Sequence, residues 1–152
     1  MSETVAVDLD GALGDTRPLW EAFLADAARR FASIAPLDPA ALPANRGDAA
    51  KALDAWAARG VGDWRRALER FTEDHAAVHL RPDPRANAAV RALRRSGTQV
   101  VVFTDAPDVL ARLALAHLGL ARAVDRIEAG AGARERAATG ARVVENADGL
   151  PG

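Results

Sequence analysis

Two aspartates at the end of a short apolar segment carry the clearest chemical signal in this sequence. Asp8 and Asp10 lie in VAVDLDG, whose apolar residues predict a buried strand over residues 4–9, and Gly11 follows directly. Side chains two positions apart on a strand project to the same side, so we expect the two carboxylates to lie together. Two carboxylates this close cannot both stay ionised without a cation or a proton between them. The pair suits a metal site or a nucleophile that works with an acid.

A second strand ends in a hydroxyl group. Residues 98–103 read TQVVVF, a near-continuous apolar run of the kind buried in a parallel sheet, and Thr104 and Asp105 follow it. Sites in open α/β sheets form beyond the carboxyl ends of strands. If the two strands are neighbours, Thr104 converges with the aspartates in one crevice. Thr104 is also placed to cap the helix after Pro107, and the two roles are compatible.

These residue types match the chemistry of phosphate esters. One aspartate can attack phosphorus and form an acyl phosphate, while the other protonates the departing oxygen and later activates water. Mg²⁺ prefers oxygen ligands and would balance the charges of the carboxylates and the phosphate. The Thr104 hydroxyl, with nearby backbone N–H groups, could donate to a phosphate oxygen.

Strands that alternate with helices predict an α/β fold with a Rossmann-like parallel sheet flanked by helices. Weaker strands are predicted at about 124–128 and 142–145, with one short helix between them. The stretch after the first strand breaks the alternation, because it offers three helices and no strand. We therefore interpret residues 16–79 as a small helical cap inserted after the first strand, and residues 1–15 and 80–152 as the α/β core.

Three polar residues are predicted to cap the helices of the inserted segment. Thr16 precedes the first helix, Asp48 the second and Asp63 the third. Apolar residues recur at helical spacing in all three helices. The tryptophans of the segment are predicted to pack its core: Trp20, Trp56 and Trp64.

Composition excludes several classes of function. The chain has 152 residues, a formal net charge of −1 and no basic block, so neither nucleic acid nor an anionic membrane is indicated as a partner. It has no cysteine, which excludes disulfides, zinc–thiolate sites and cysteine nucleophiles. Its first residues show no targeting signal, and no apolar run approaches the roughly 18 residues that span a bilayer. We expect a soluble cytoplasmic protein, and the oligomeric state stays open.

Two segments resemble motifs of the haloacid dehalogenase superfamily. DLDGALGDT is similar to its first motif, DxDGT/V-L, and VVVFTDAP to its second, an apolar strand that ends in Ser or Thr. The resemblance implies Asp8 as the nucleophile and Asp10 as the general acid/base. It implies Thr104 as a phosphate-binding residue, and we add Gly11 and Asp105 to that site. An acid at Asp10 favours phosphoryl chemistry, because the dehalogenases of the family lack it.

The third and fourth motifs of that family are altered here. No lysine follows Lys51, so Arg134 or Arg136 is the candidate replacement at the phosphate, although both also fit solvated helix residues. The last strand ends in VVENADGL, where Asn146 stands in place of an aspartate. Glu145 and Asp148 are then the candidate carboxylates of a metal site with Asp8 and Asp10, or they are acids of a turn. Two further arginines, predicted as surface residues, could reach a second anionic group of a substrate: Arg17 and Arg46.

The sequence thus predicts a Mg²⁺-dependent phosphomonoester hydrolase that acts through an aspartyl-phosphate on a small phosphorylated substrate. The alternative is a catalytically degenerate member that binds a phosphorylated ligand or a protein partner without turnover. The presence of Asp8, Asp10 and Thr104 favours the first hypothesis. The missing lysine and the altered metal motif favour the second.

Overall fold

A computed structural model of the chain describes residues 3–151 and contains one four-stranded parallel sheet. The strands are β1 (Thr4–Asp8), β2 (Gln99–Thr104), β3 (Arg126–Ala129) and β4 (Arg142–Val144), in the order β3-β2-β1-β4. The described residues also form six α-helices: α1 (Arg17–Arg30), α2 (Arg46–Ala57), α3 (Trp64–His79), α4 (Pro84–Arg95), α5 (Asp108–His117) and α6 (Ala133–Ala138). The predicted α/β Rossmann-like architecture is confirmed.

The register of the two central strands brings the predicted site residues to one edge. β1 and β2 are hydrogen-bonded neighbours, with Val7 opposite Val102 and Asp8 opposite Phe103. Because the strands are parallel, the segments after Asp8 and Phe103 leave the sheet at the same edge. Thr104, the next residue of β2, therefore lies beside the end of β1.

Alternate residues of the central strands pack against helices on opposite faces of the sheet. On one face, four valines join the core formed with α4 and α5: Val5, Val7, Val100 and Val102. On the other face, a smaller cluster contains Ala6, Val101 and Phe103 with two alanines of α6. Both faces are thus covered, as in sheets built from parallel strands. Within residues 3–151, no helix has both the length and the apolar character that crossing a membrane requires.

Helices α1, α2 and α3 follow β1 without an intervening strand, and we call residues 16–79 the helical lobe. The three predicted core tryptophans are at most 5% exposed. Aromatic rings pack edge to face between its helices, with centroids 6.2 Å apart for Trp20 and Trp64 and 5.8 Å apart for Phe23 and Phe71. α3 also packs on α5, so one continuous apolar core joins the lobe to the sheet.

Two local predictions need correction. The strand predicted over residues 4–9 ends at Asp8, and the chain turns into a single π-helical turn at Leu9–Leu13. The second lobe helix begins at Arg46 and is capped by Asn45, whose side chain accepts the N–H of Asp48 at 3.0 Å. Asp48 lies in the first turn instead of capping the helix. The predicted cap at Asp63 is confirmed, since its side chain accepts the N–H of Arg66.

Candidate active site

The turn after β1 sets the geometry of the aspartate pair. The sequence predicts Asp10 on the same strand as Asp8, but Asp10 lies within the π-helical turn. The Asp8 carboxylate accepts the backbone N–H of Asp10 at 3.1 Å, which joins the two residues at the strand end. Gly11 belongs to the same turn, and a Cβ there would overlap the backbone carbonyl oxygen of Glu145. Glycine thus allows the turn to approach the end of β4.

Asp8 is half-buried, and the carboxylates of two other acids act on it. Burial raises the pKa of Asp8 above its ordinary value, and the charges of Asp10 and Glu145 act in the same direction. The backbone N–H groups of Gly11 and Asp10 donate to its carboxylate and oppose this rise only in part. Asp8 is therefore a carboxylate whose charge the native site only partly compensates.

Asp10, in contrast, is fully engaged. Its Oδ1 accepts hydrogen bonds from Thr16, at 2.8 Å from the backbone N–H and 2.5 Å from the hydroxyl. Its Oδ2 accepts the Thr104 hydroxyl at 2.7 Å and the Arg46 Nη2 at 2.7 Å. These four bonds come from the start of α1, from α2 and from the end of β2. Asp10 thus joins the helical lobe to the sheet.

Thr16 and Thr104 do not act as the helix caps that the sequence indicates. Thr16 occupies the N-cap position of α1, but its hydroxyl binds Asp10 and Arg46 instead of a helix N–H group. The Thr104 hydroxyl accepts the N–H of Ala106 at 3.2 Å, while α5 begins later, after Pro107. Both hydroxyls serve the site.

Arg46 is buried, and the prediction of a surface residue was wrong. Only 3% of its surface is exposed. It is the first residue of α2, and its guanidinium contacts the carboxylates of Asp10 and Asp105. Its Nε–H group donates to Asp105 Oδ1 at 2.8 Å. The backbone N–H of Arg46 donates to the other oxygen of Asp105 at 3.0 Å. The predicted phosphate-binding side chain of Asp105 is therefore committed to Arg46.

A close contact of two backbones brings Arg46 into the site. A Cβ on Gly47 would overlap the backbone nitrogen of Ala131 and the carbonyl carbon of Gly130. The start of α2 therefore lies directly on the loop between β3 and α6. Glycine is a poor helix former, so Gly47 after the capping Asn45 is the signal in the sequence that could have indicated this approach.

The side chains at the carboxyl edge of the sheet and at the start of α2 border a cavity of about 490 Å³, which we call the central cavity. Among its lining residues are the predicted site residues Asp8, Asp10, Thr104, Asp105 and Arg134. Three arginines and four acids line it in total: Arg17, Arg46, Arg134, Asp8, Asp10, Asp105 and Glu135. Such a charged concave surface suits a small polar or anionic ligand.

The other predicted site residues lie elsewhere. Glu145 forms an exposed ion pair with Arg134 beside the cavity. Asp148 lies in the 3₁₀ turn Ala147–Gly149, held by the side chain of Asn146, and borders a separate, smaller cavity next to α4. The structure therefore does not bring Asp148 to Asp8 and Asp10. Arg17 lines the mouth of the central cavity and pairs with Asp15, with 63% of its side chain exposed, as predicted for a surface residue.

The parallel sheet, with two aspartates and a threonine at its carboxyl edge, defines the chain as an α/β protein of the Rossmann-like class. A model of the haloacid dehalogenase-like hydrolase family matches residues 5–149. The chain belongs to that family, and the predicted resemblance is confirmed. The comparison with curated proteins gives no match.

Solved structures share the fold. CbbY from Rhodobacter sphaeroides, in complex with phosphate, is 18% identical with a TM-score of 0.55, covering 86% of this chain and 64% of that one. A predicted phosphoglycolate phosphatase from Haemophilus somnus 129pt is 16% identical with a TM-score of 0.54, covering 86% and 63%. Protein tyrosine kinase A from Mycobacterium tuberculosis is 19% identical with a TM-score of 0.53, covering 92% and 68%. The chain thus spans less than two thirds of the first two.

Members of the family generally use Mg²⁺, but the side chains of this site are not arranged as a magnesium centre. Among residues 3–151, no group of three or more His, Cys, Asp and Glu side chains is arranged to hold a metal ion. Asp10 already accepts two hydrogen bonds on each carboxylate oxygen, and Glu145 pairs with Arg134. The predicted ligands Asp8, Asp10, Glu145 and Asp148 do not form a magnesium site in this arrangement.

Proposed function

We propose that the protein hydrolyses phosphate monoesters, with Asp8 as the nucleophile and Asp10 as the general acid/base. One observation carries the proposal. Thr104 donates a hydrogen bond of 2.7 Å to Asp10 across 94 positions of the sequence, beside Asp8 and within a cavity lined by arginines. A nucleophile, a proton carrier and an anion-binding hydroxyl thus share one crevice.

In the first step an Asp8 oxygen attacks phosphorus, and the bond between phosphorus and the ester oxygen breaks. Asp10, which must carry a proton at this stage, donates it to that departing oxygen and becomes a carboxylate, so the product leaves as a neutral alcohol. The result is an aspartyl-phosphate on Asp8. The ionised form of Asp8 is held at the strand end by the N–H groups of Asp10 and Gly11, which aim its carboxylate.

In the second step Asp10 takes a proton from water, and the resulting hydroxide attacks phosphorus. The bond between phosphorus and the Asp8 oxygen breaks, which releases inorganic phosphate and restores both aspartates. Because Asp10 has four hydrogen-bond donors in this structure, it must exchange at least one of them for the leaving oxygen. Separation of Arg46 from Asp10 would free the oxygen that faces Thr104.

The phosphate-binding role falls to groups at the edge of the central cavity. We assign the Thr104 hydroxyl, the backbone at Gly11 and Asp105, and the guanidinium of Arg134 to the phosphate oxygens. Arg134 is about half exposed, and so is its partner Glu145. Because this ion pair lies in solvent, the Arg134 side chain can turn toward a bound anion. The structurally similar CbbY was solved with phosphate, which supports a ligand of this kind. A cavity of about 490 Å³ suits a small phosphorylated metabolite.

The Mg²⁺ dependence that the family resemblance implies is not part of this mechanism. Of the four carboxylates predicted to hold the ion, Asp10 and Glu145 pair with arginines and Asp148 borders a separate cavity, which leaves Asp8 as a single ligand.

Phosphate release from a broad panel of phosphomonoesters tests the proposal, with the native chain compared with Asp8→Asn, each with and without Mg²⁺. We expect turnover by the native chain and a loss of at least about a hundredfold in the variant, because the amide cannot form the acyl phosphate. Retained turnover in a folded Asp8→Asn variant would show that another residue attacks phosphorus.

One observation favours the alternative of a degenerate binding protein. Arg46 and Thr16 hold Asp10 in a buried network, and a permanently engaged Asp10 could not transfer protons. Such a protein would bind a phosphorylated ligand or a protein partner at the same cavity without turnover. No phosphate release from folded native chain on any substrate, together with saturable binding of inorganic phosphate or a phosphomonoester, would select this alternative.

A further inference from the structure

The guanidinium of Arg46 has a partner for each of its nitrogen atoms. Nε donates to Asp105 at 2.8 Å, and Nη1 donates to the Thr16 hydroxyl at 2.7 Å. Nη2 donates to Asp10 at 2.7 Å and lies 3.2 Å from the Thr104 hydroxyl. With 4% of its side chain exposed, Arg46 is a built-in part of the site.

The charges around Arg46 explain why a cation is needed at this point. The side chains of Asp10 and Asp105 are 11% and 35% exposed, and both contact the same guanidinium. A buried carboxylate is costly unless a positive charge or a proton accompanies it. An arginine keeps its charge at every accessible pH, so titration of Arg46 does not break its pairing with either acid.

The residues that a metal ion would require are not available near Arg46. Asp10 carries two hydrogen bonds on each oxygen, and Glu145 pairs with Arg134. Asp148 faces a different cavity, and the part of the chain that the structure describes contains no cluster of three potential ligands. A divalent ion would therefore find only Asp8 available among the four predicted ligands. It would compete with Arg46, whose positive charge already pairs with the neighbouring Asp10.

We propose that Arg46 is the resident cation of this site and takes over the charge balance that a divalent metal ion otherwise provides. As a positioning residue, it holds Asp10 and Asp105 at the carboxyl edge of the sheet, and the native site has no affinity for Mg²⁺ in the millimolar range. The inference rests on the proposed function only in the role it gives to Asp10. Its test measures cation binding, which does not depend on turnover.

The experiment titrates Mg²⁺ into the native chain and three variants, with binding heat and melting temperature as readouts. Arg46→Gln removes the charge but keeps hydrogen-bond donors, and Arg46→Lys keeps a cation. Arg17→Gln is the matched control, because Arg17 lines the same cavity but pairs with the exposed Asp15. EPR with Mn²⁺ as a probe detects binding independently of heat.

We expect no saturable binding and no Mg²⁺-dependent rise in melting temperature for the native chain, Arg46→Lys and Arg17→Gln. Arg46→Gln should gain both, because Asp10 and Asp105 lose their shared cation and become available to a divalent ion. If Arg46→Gln folds only when Mg²⁺ is present, this dependence itself shows that the variant has gained Mg²⁺ binding.

Saturable Mg²⁺ binding by the native chain overturns the inference whatever the variants do. Absence of binding in both the native chain and folded Arg46→Gln also overturns it, because Arg46 is then not what replaces the metal. Failure of the proposed function, seen as no phosphate release, leaves these binding results unchanged, so the two outcomes are distinguishable.

Discussion

Arg46 and Asp10, 36 residues apart in the sequence, form a 2.7 Å ion pair in which neither side chain is more than 11% exposed. The pair connects the first residue of α2 to the turn after β1 and thus ties the helical lobe to the carboxyl edge of the sheet. The stability of this protein and its proposed activity therefore depend on the same contact.

Removal of this arginine should be strongly destabilising. Arg46→Ala leaves Asp10 buried without its cation, and breaking a buried ion pair from one side costs about 3–5 kcal/mol. Urea denaturation of the native chain and the variant measures the difference in the free energy of unfolding. The control is Arg17→Ala, whose exposed pair with Asp15 contributes no more than about 1 kcal/mol. Equal losses in the two variants would show that burial of Arg46 contributes nothing.

The fold follows from local patterns that the sequence displays openly. The apolar runs before Asp8 and Thr104 are short but uninterrupted, and they form neighbouring parallel strands. Their convergence needed only the rule that parallel strands end at one edge. Strand and helix limits differ from the predicted ones by one to three residues, because the terminal turns depend on caps such as Asn45 that compete with nearby acids.

The interior of the site was harder to predict, because its contacts join residues far apart in the sequence. Apart from the neighbouring Gly47, the sequence around Arg46 shows no sign of burial, since arginines are usually exposed and the loop before it has no periodic pattern. Its position depends on the packing of α2 against the loop after β3. Thr16 could be recognised as a helix start, but its hydroxyl bonds to Asp10 and Arg46 arise only in the folded chain.

The hydroxyl group of Thr16 should contribute more to stability than the shape of its side chain does. Thr16→Val keeps the volume but leaves the Nη1 group of Arg46 without its acceptor and removes one of the two donors to Asp10 Oδ1, at a cost of about 1–3 kcal/mol. Thr72→Val is a matched control, because Thr72 is equally buried and its hydroxyl has no hydrogen-bond partner among residues 3–151. That substitution should be neutral or stabilising. Thermal unfolding of the two variants and of Thr16→Ser, which keeps the hydroxyl, measures the contrast. Equal effects of the two valine substitutions would contradict a role of the Thr16 hydroxyl in the network.

The raised pKa of Asp8 predicts a pH-dependent effect of neutralising this residue. Because burial raises its folded pKa above the ordinary value of 3.8, the native state binds the Asp8 proton more tightly than the unfolded chain does. The stability that this provides is complete below 3.8 and is lost as the pH rises through the folded pKa. Asp8→Asn, which is never charged, should therefore gain stability relative to the native chain as the pH rises. Melting temperatures of both proteins across acidic and neutral pH give this difference, and a constant difference would refute the assignment.

Gly47 should be the most sensitive glycine of the helical lobe. A Cβ at this position would overlap the backbone at Gly130 and Ala131, so Gly47→Ala must push α2 away from the loop after β3. Although alanine favours helices, we expect a loss of about 1–3 kcal/mol from overpacking. The displacement also carries Arg46 away from Asp105, so an NMR comparison should show shifts at both residues. Lys51→Ala, on the exposed side of α2, is the control and should change stability by less than about 0.5 kcal/mol. A Gly47→Ala variant as stable as this control would show that α2 does not rest on the loop, and the buried position of Arg46 would lose its physical basis.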